Sequence, residues 1–288
     1  MPAHLLICPL CQSALTLSAK NWHCALGHNF DLAREGYANL LVVQHKKSKA
    51  PGDSQDMVDA RTRVLESGIY QPISDLINQW VQAASLPLAN AQIADIGCGE
   101  GYYTERLERS LQAQGTSHVL YAVDIAKEAI KRAAKRSKSI YWLVASGGRL
   151  PLQAQGLDII VNLFTNPMPQ GFRQALKKGG QVFIVSTGAQ HLMELRQRIY
   201  DEVRLDSYNP QENMQQQGFS LRQEQRLSYA VTLNSPAQIQ DLLFMTPHRY
   251  KIRPQALEAL QQLSTLTVRV EVLVQQFSLD ASCEDILP

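Results

Sequence analysis

The stretch Asp95-Ile96-Gly97-Cys98-Gly99-Glu100-Gly101 decides the reading of this chain. It follows a short apolar run, residues 93–96, that reads as a buried strand, and it opens a helical pattern over 102–111. Glycine at alternate positions permits tight backbone angles and lets the main chain come close to a ligand. The loop is similar to a dinucleotide fingerprint, but its spacing is G-x-G-x-G and an acid precedes the first glycine. Outward from the loop, residues 119–123, 140–144, 157–163 and 181–186 read as further strands. Helical stretches at 126–136 and 171–176 fall among them. Alternation of this kind predicts an α/β fold with a doubly wound sheet.

A second acid, Asp124, stands at the end of the 119–123 strand, one β-α-β unit after Asp95. Both acids therefore reach the carboxyl ends of neighbouring strands. There Asp124 can accept hydrogen bonds from the ribose hydroxyls of a nucleoside cofactor, cap the helix that follows, or do both. The D-x-G-x-G-x-G pattern resembles the first motif of class I S-adenosylmethionine-dependent methyltransferases. Leu176-Lys177-Lys178-Gly179-Gly180-Gln181-Val182-Phe183 resembles the late turn and strand of the same class. The end of the 140–144 strand, Val144-Ala145-Ser146, is placed to meet an adenine. Asn162-Leu163-Phe164-Thr165-Asn166-Pro167 is placed to border a methyl group.

Near the start stand Cys8, Cys11, Cys24 and His28, spaced C-x2-C-x12-C-x3-H. Thiolates and imidazole are the ligands of tetrahedral Zn²⁺, and a closed set of four is the structural kind. Pro9 and Leu10 turn between the first pair, and Gly27 relieves the turn before His28. So short a module cannot build its own core, and metal binding must supply much of its folding free energy. The expected fold class is a class I (Rossmann-like) methyltransferase sheet with a small N-terminal zinc-binding module. The expected divisions are 1–33 for the zinc module, 34–90 for a connector and helical lid, and 91–288 for the methyltransferase domain.

Composition sets wide bounds. The chain has 288 residues, 45% hydrophobic and 19% charged, with net charge +2. This is ordinary for a folded protein, and the overall charge does not announce a nucleic-acid binder. No apolar run reaches transmembrane length, and the first residues do not read as an export signal. Five cysteines, three of them in the metal set, fit a reducing compartment and predict a cytoplasmic protein. The run His45-Lys46-Lys47-Ser48-Lys49 is either a solvated loop or a phosphate contact. Lys127, Lys131, Lys135 and Lys138, near Arg132 and Arg136, leave the same two readings open.

Taken together, these pieces resemble the rRNA large-subunit methyltransferase A family over most of residues 8–250. The distinctive stretches are C-P-L-C at 8–11, E-G-Y-A-N-L-L at 35–41, Q-H-K-K-S at 44–48, P-G-D-S at 51–54, Y-Q-P at 70–72, D-I-G-C-G-E-G-Y-Y-T at 95–104, H-L-M-E-L at 191–195 and M-T-P at 245–247. The resemblance implies methyl transfer from S-adenosylmethionine to N1 of a guanine in a hairpin of 23S rRNA, and a homodimer. It implies Zn²⁺ on Cys8, Cys11, Cys24 and His28. It implies cofactor contacts from Tyr70, Tyr103, Thr104 and His191, beside Asp95, Gly97, Gly99, Gly101, Asp124 and Ser146. The arginine that the family commonly carries after the fourth strand is absent from 162–167. No catalytic base declares itself; Asn162, Asn166 and His191 are candidates by location. A class I methyltransferase of small molecules and a non-catalytic RNA-binding protein are the alternatives.

Overall fold

The computed structural model describes residues 4–42, 52–203, 205 and 208–280. The chain opens with three short antiparallel strands, β1 (Leu15–Ser18), β2 (Asn21–Cys24) and β3 (Asn29–Asp31), that form a sheet of their own. There follow β4 (Tyr37–Asn39), α1 (Gln55–Glu66), α2 (Gln71–Ser85), β5 (Ala91–Ile96), α3 (Tyr102–Ala113), β6 (His118–Asp124) and α4 (Lys127–Ala133). Next come β7 (Tyr141–Val144), β8 (Leu157–Leu163), α5 (Pro169–Ala175), β9 (Leu176–Thr187), α6 (Met193–Ile199) and α7 (Gln211–Gln215). The chain closes with β10 (Phe219–Leu233), α8 (Pro236–Phe244), a 3-10 turn at Pro247–Tyr250, α9 (Pro254–Gln261) and β11 (Leu266–Leu279).

Eight strands form one sheet in the order β10-β11-β9-β8-β5-β6-β7-β4. Neighbours are parallel except β11, which is antiparallel to both β9 and β10. β5 is buried at every position, as a central strand covered on both faces must be. From β5 the chain steps outward to β6 and β7, then crosses back to β8 on the other side. The carboxyl ends of β5 and β8 therefore flank the topological switch point, where open α/β sheets bind ligands.

The period-2 alternation of the strands divides the core into two. Ile93, Leu120, Trp142, Val161 and Phe183 face α1, α2, α3, α4, α6 and α8. Ala94, Ile96, Tyr121, Val123, Ile160 and Ile184 share the opposite cluster with Phe172 of α5 and with Leu6, Cys8, Leu15, Trp22 and Cys24. The metal-ligand module thus supplies part of the second face's cover. Leu5 donates its N–H to the Tyr121 hydroxyl at 2.8 Å, Ile7 donates to the Pro151 carbonyl at 3.0 Å, and the His4 ring meets Trp22 edge-on at 4.8 Å.

Two segments depart from a plain reading of the pattern. The stretch after residue 33 is not only a connector: Tyr37–Asn39 pairs in parallel with Trp142–Val144 as the sheet's edge strand. Three residues are too few to display an alternation. The H-L-M-E-L stretch at 191–195 is helical only from Met193, because Leu192 takes the left-handed conformation (φ 51°), and the helix ends at Ile199. Residues 43–51, with the basic run, and Cys283 lie outside the described residues.

Candidate active site and metal centre

Each glycine-loop element is positioned by a separate constraint. Gly97 and Cys98 both donate N–H groups to the Val123 carbonyl, at 2.7 and 3.1 Å, which ties the loop to the end of β6. Gly99 donates to Asp124 Oδ2 at 2.9 Å, and Ala126 donates to Asp124 Oδ1 at 2.7 Å. The acid therefore orders the loop and starts α4 at once. Burial pushes its carboxyl above the ordinary range, against these two hydrogen bonds. Gly101 has φ 87°, and a Cβ there would stand 2.8 Å from Trp142 and 2.9 Å from Ala133. Only glycine lets α3 start so close to the sheet.

Above the switch point lies a cleft of about 580 Å³, in the range of sites for small organic ligands. Tyr70, Gly97, Gly99, Tyr103, Asp124 and His191 line it. Asp95, Gly101, Thr104 and Ser146 do not. Thr104 is fully buried behind the loop and donates its hydroxyl to Asp95 Oδ2 at 2.6 Å. Burial, with the nearby Asp124 charge adding to it, lifts the Asp95 carboxyl to about 7 against that hydrogen bond. Ser146 instead closes a local turn, its Oγ accepting from the Gly148 N–H at 3.3 Å.

His191 and Tyr70 come together across 121 residues of chain, with the Tyr70 hydroxyl 3.2 Å from His191 Nε2. His191 Nδ1 lies 3.0 Å from the Glu271 carbonyl oxygen. The Glu271 N–H lies 3.2 Å from the same Nδ1, so the Glu271 backbone holds one edge of the ring while Nε2 faces the Tyr70 hydroxyl. Burial pulls the imidazole down to about 4, so it is neutral at neutral pH. Of the other candidate bases, Asn162 is completely buried and donates its amide to the Ile96 carbonyl at 2.8 Å, clipping β8 to β5. Asn166 is exposed and off the cleft wall.

Sequence reasoning gave no site role to Asp53, Arg61, Arg196 or Thr246-Pro247-His248, all of which line the cleft. Arg61 pairs with Asp53 and donates to the Met245 carbonyl at 3.2 Å, joining α1 to the segment after α8. The only signal for that segment was the M-T-P stretch, which carried no assigned role.

At the metal centre, Cys24 Sγ is 3.3 Å and Cys8 Sγ 3.5 Å from His28 Nδ1, and Cys11 Sγ is 3.6 Å from Cys24 Sγ. All four ligand atoms lie within 4.8 Å of one another. A tetrahedron with Zn–S and Zn–N bonds of about 2.3 and 2.1 Å has edges of roughly 3.5–3.8 Å. The donor set and its spacing fit Zn²⁺. A left-handed Gln12 (φ 62°) and Gly27 (φ 83°) shape the two turns that present the ligands.

The family description "RlmA, N-terminal" matches residues 6–49, and "Methyltransferase domain" matches 93–182. A Micromonospora griseorubida protein, provisionally named 23S rRNA (guanine-N(1)-)-methyltransferase, is 32% identical over 67% of this chain and 68% of its own length. This chain belongs to the RlmA methyltransferase family. Two further relatives carry similar names. The 23S rRNA (guanine(748)-N(1))-methyltransferase of Streptomyces fradiae is 34% identical over 65% of each chain. A Bacillus subtilis protein, provisionally named 23S rRNA (guanine-N(1)-)-methyltransferase, is 29% identical over 93% of this chain and 95% of its own. Among solved structures, a provisionally named methyltransferase of Bacillus halodurans matches with TM-score 0.50 and 15% identity, over 70% of this chain and 98% of that one. That likeness concerns the class I fold. The Cys8, Cys11, Cys24 and His28 centre is accordingly an RlmA zinc ribbon. No described helix is long and apolar enough to cross a membrane.

Proposed function

We propose that this chain transfers a methyl group from S-adenosylmethionine to N1 of a guanine in a hairpin of 23S rRNA. The observation that carries the reading is the Asp124 carboxylate bonded to the Gly99 N–H on the wall of a switch-point cleft, in a chain headed by an RlmA zinc ribbon.

When bound, S-adenosylmethionine supplies a sulfonium-activated methyl. The remaining work falls to the chain's own groups. Asp124 offers its free lone pairs to ribose hydroxyls while still holding Gly99. The first turn of α3 offers backbone N–H groups to a carboxylate, with Tyr103 beside them. Tyr70, fixed by His191, closes the cleft from the start of α2. Asp95 and Thr104 act from behind the loop, as its support. In-line displacement then depends on holding the acceptor nitrogen close to the methyl, so positioning carries most of the rate. The N1 proton must also leave, and neutral His191 is the one candidate base of the three on the cleft wall. The target base must leave its stack to enter.

Charge on the described surface divides the earlier basic candidates. Arg132 is committed to Asp59, Arg136 to Glu100, Glu66 and Glu105, and Lys138 to the Glu35 and Ala134 carbonyls. Lys127 and Lys135 are exposed and available to phosphates. A cytoplasmic homodimer, with the two zinc ribbons helping to form the RNA cleft, completes the reading.

The test is transfer of labelled methyl from S-adenosylmethionine to deproteinised 23S rRNA lacking the modification, followed by primer extension. A single stop at a guanine is expected, because N1 methylation blocks Watson–Crick pairing. Cofactor binding without any rRNA product would move the assignment to a small-molecule acceptor or to an assembly intermediate. Absence of cofactor binding would favour an RNA-binding scaffold.

A further inference from the structure

The residue just past the end of β8, Phe164, combines features that no packing role requires. Its φ is 56°, the left-handed region that bulky side chains avoid. Glycine is what that angle alone would favour. Backbone strain of this kind persists only where surrounding structure enforces it, and it concentrates at ligand sites. The Phe164 N–H donates to the Val185 carbonyl at 2.9 Å on neighbouring β9, which continues the β8–β9 ladder up to the point where the chain turns left-handed. The result is a large apolar side chain that remains 38% exposed and lines the cleft.

Three further rings fix the phenyl group. Tyr70 meets it edge-on at 5.9 Å and 79°, Tyr103 is tilted against it at 6.1 Å, and His191 lies at 6.4 Å. All three also line the cleft, and the Tyr103 hydroxyl is buried there without a hydrogen-bond partner. An aromatic ring held rigidly by others, with surface left open, gives contact area at little further entropic cost. The cleft has two halves. The glycine loop and Asp124, at the ends of β5 and β6, suit the nucleoside cofactor. Phe164 and Thr165 just past β8, with Thr187 at the end of β9 and Gly188 after it, make the other wall.

We propose that Phe164 is the platform on which the acceptor base stacks while its ring nitrogen faces the cofactor methyl. The ring supplies a π face to a planar base that has lost its neighbours in the RNA. The inference rests on the rRNA reading above and deepens it by naming the residue that receives the base.

The experiment uses the full zinc-loaded chain and two variants, Phe164→Leu and Phe164→Tyr. Leucine retains bulk and backbone strain but has no π face; tyrosine restores one. S-adenosylmethionine affinity and melting temperature serve as controls for folding and for the cofactor half. Transfer rate and KM are measured on 23S rRNA. A synthetic hairpin with 2-aminopurine at the position that the wild type methylates reports stacking by fluorescence. The expected result for Phe164→Leu is a loss of transfer of roughly ten- to hundredfold, cofactor affinity within about twofold of wild type, and 2-aminopurine brighter than in the wild-type complex. Phe164→Tyr should retain both transfer and quenching. Wild-type transfer by Phe164→Leu would overturn the proposal while leaving the rRNA reading intact. So would a loss of S-adenosylmethionine affinity as large as the loss of transfer, which would place the ring against the sulfonium. Absence of rRNA methylation by the wild-type chain would overturn both.

Discussion

Arg136 grips Glu100 from two directions, donating Nε–H to the Glu100 carbonyl oxygen at 2.8 Å and to its carboxylate at 3.0 Å. Glu100 is the buried acid inside the glycine loop, and the same guanidinium reaches Glu66 of α1 and Glu105 of α3. One cation thus ties the loop, α1 and the helix that follows the loop. Replacing it by glutamine strands a buried carboxylate, at a cost of about 3–5 kcal/mol. Arg136→Gln should lower the melting temperature and weaken S-adenosylmethionine binding, read by calorimetry. A companion Glu100→Gln change should recover part of both. An Arg136→Gln chain as stable as wild type would show that the Arg136–Glu100 contact carries no net stability.

Asp124→Asn offers one acceptor oxygen where Gly99 and Ala126 now share two. Cofactor affinity should fall by about tenfold or more, since hydrogen bonds to a charged acceptor contribute roughly 1.5–3 kcal/mol each. Burial raises the Asp124 carboxyl. Wild-type affinity should therefore weaken with acidification at a higher pH than an ordinary aspartate would dictate. A pH-independent Kd in titration calorimetry down to acid pH would count against Asp124 as the ribose acceptor.

Metal removal should reach beyond the ribbon. Leu6, Trp22 and the ligand cysteines share a core with Tyr121, Ile160 and Phe172, so loosening the ribbon uncovers one face of the main sheet. Chelation at neutral pH should lower the main melting transition, and hydrogen exchange should rise in β6 and in the 150–152 segment. A separate low-temperature transition with the main one unmoved would show an independent ribbon.

His118 and Glu108 form a buried pair, Nε2 to Oε2 at 2.6 Å. The hydrogen bond to Glu108 raises the imidazole above its ordinary value, against burial. Burial alone would push Glu108 up, but hydrogen bonds from His118, Ser139 and Gln112 outweigh it and hold the carboxyl down. The histidine's contribution is complete below its unfolded value and is lost as pH rises through the raised one. The glutamate's is complete above its unfolded value and is lost as pH falls through the depressed one. Stability from this pair is therefore greatest between about pH 4.3 and 6.5, the two unfolded values. His118→Gln should flatten the decline of melting temperature above that window. An unchanged profile would mean that the pair does not ionise.

Much of the architecture was legible because it is written in local chemistry. Residues 157–163 are mostly apolar, interrupted only by Asp158 and Asn162, and bounded by turn signals, so their strand could be placed to the residue. The four zinc ligands were legible because spacing and residue type are themselves the chemistry, and the structure brings all four together. The glycine loop was readable from the acid and the glycines, which answer to backbone angles and close approach. What local pattern could not carry was which loop residues face outward. The resemblance implies cofactor contacts from Thr104 and Asp95, and the fold sets the two side chains against each other behind the loop.

By itself, then, the sequence determined the class I sheet and the zinc centre, because each depends on periodicity or on ligand spacing within a few dozen residues. Only the tertiary structure decided the rest. Tyr70 meets His191, Arg61 meets the Met245 carbonyl, and the ribbon covers the second face of the sheet. It also decided that Phe164 turns left-handed into the cleft, where three rings from other elements receive it. These relationships join residues a hundred or more positions apart or depend on a backbone angle that neighbours in space enforce. Their free energy comes from burial and hydrogen bonding in three dimensions, for which a linear pattern has no periodic trace.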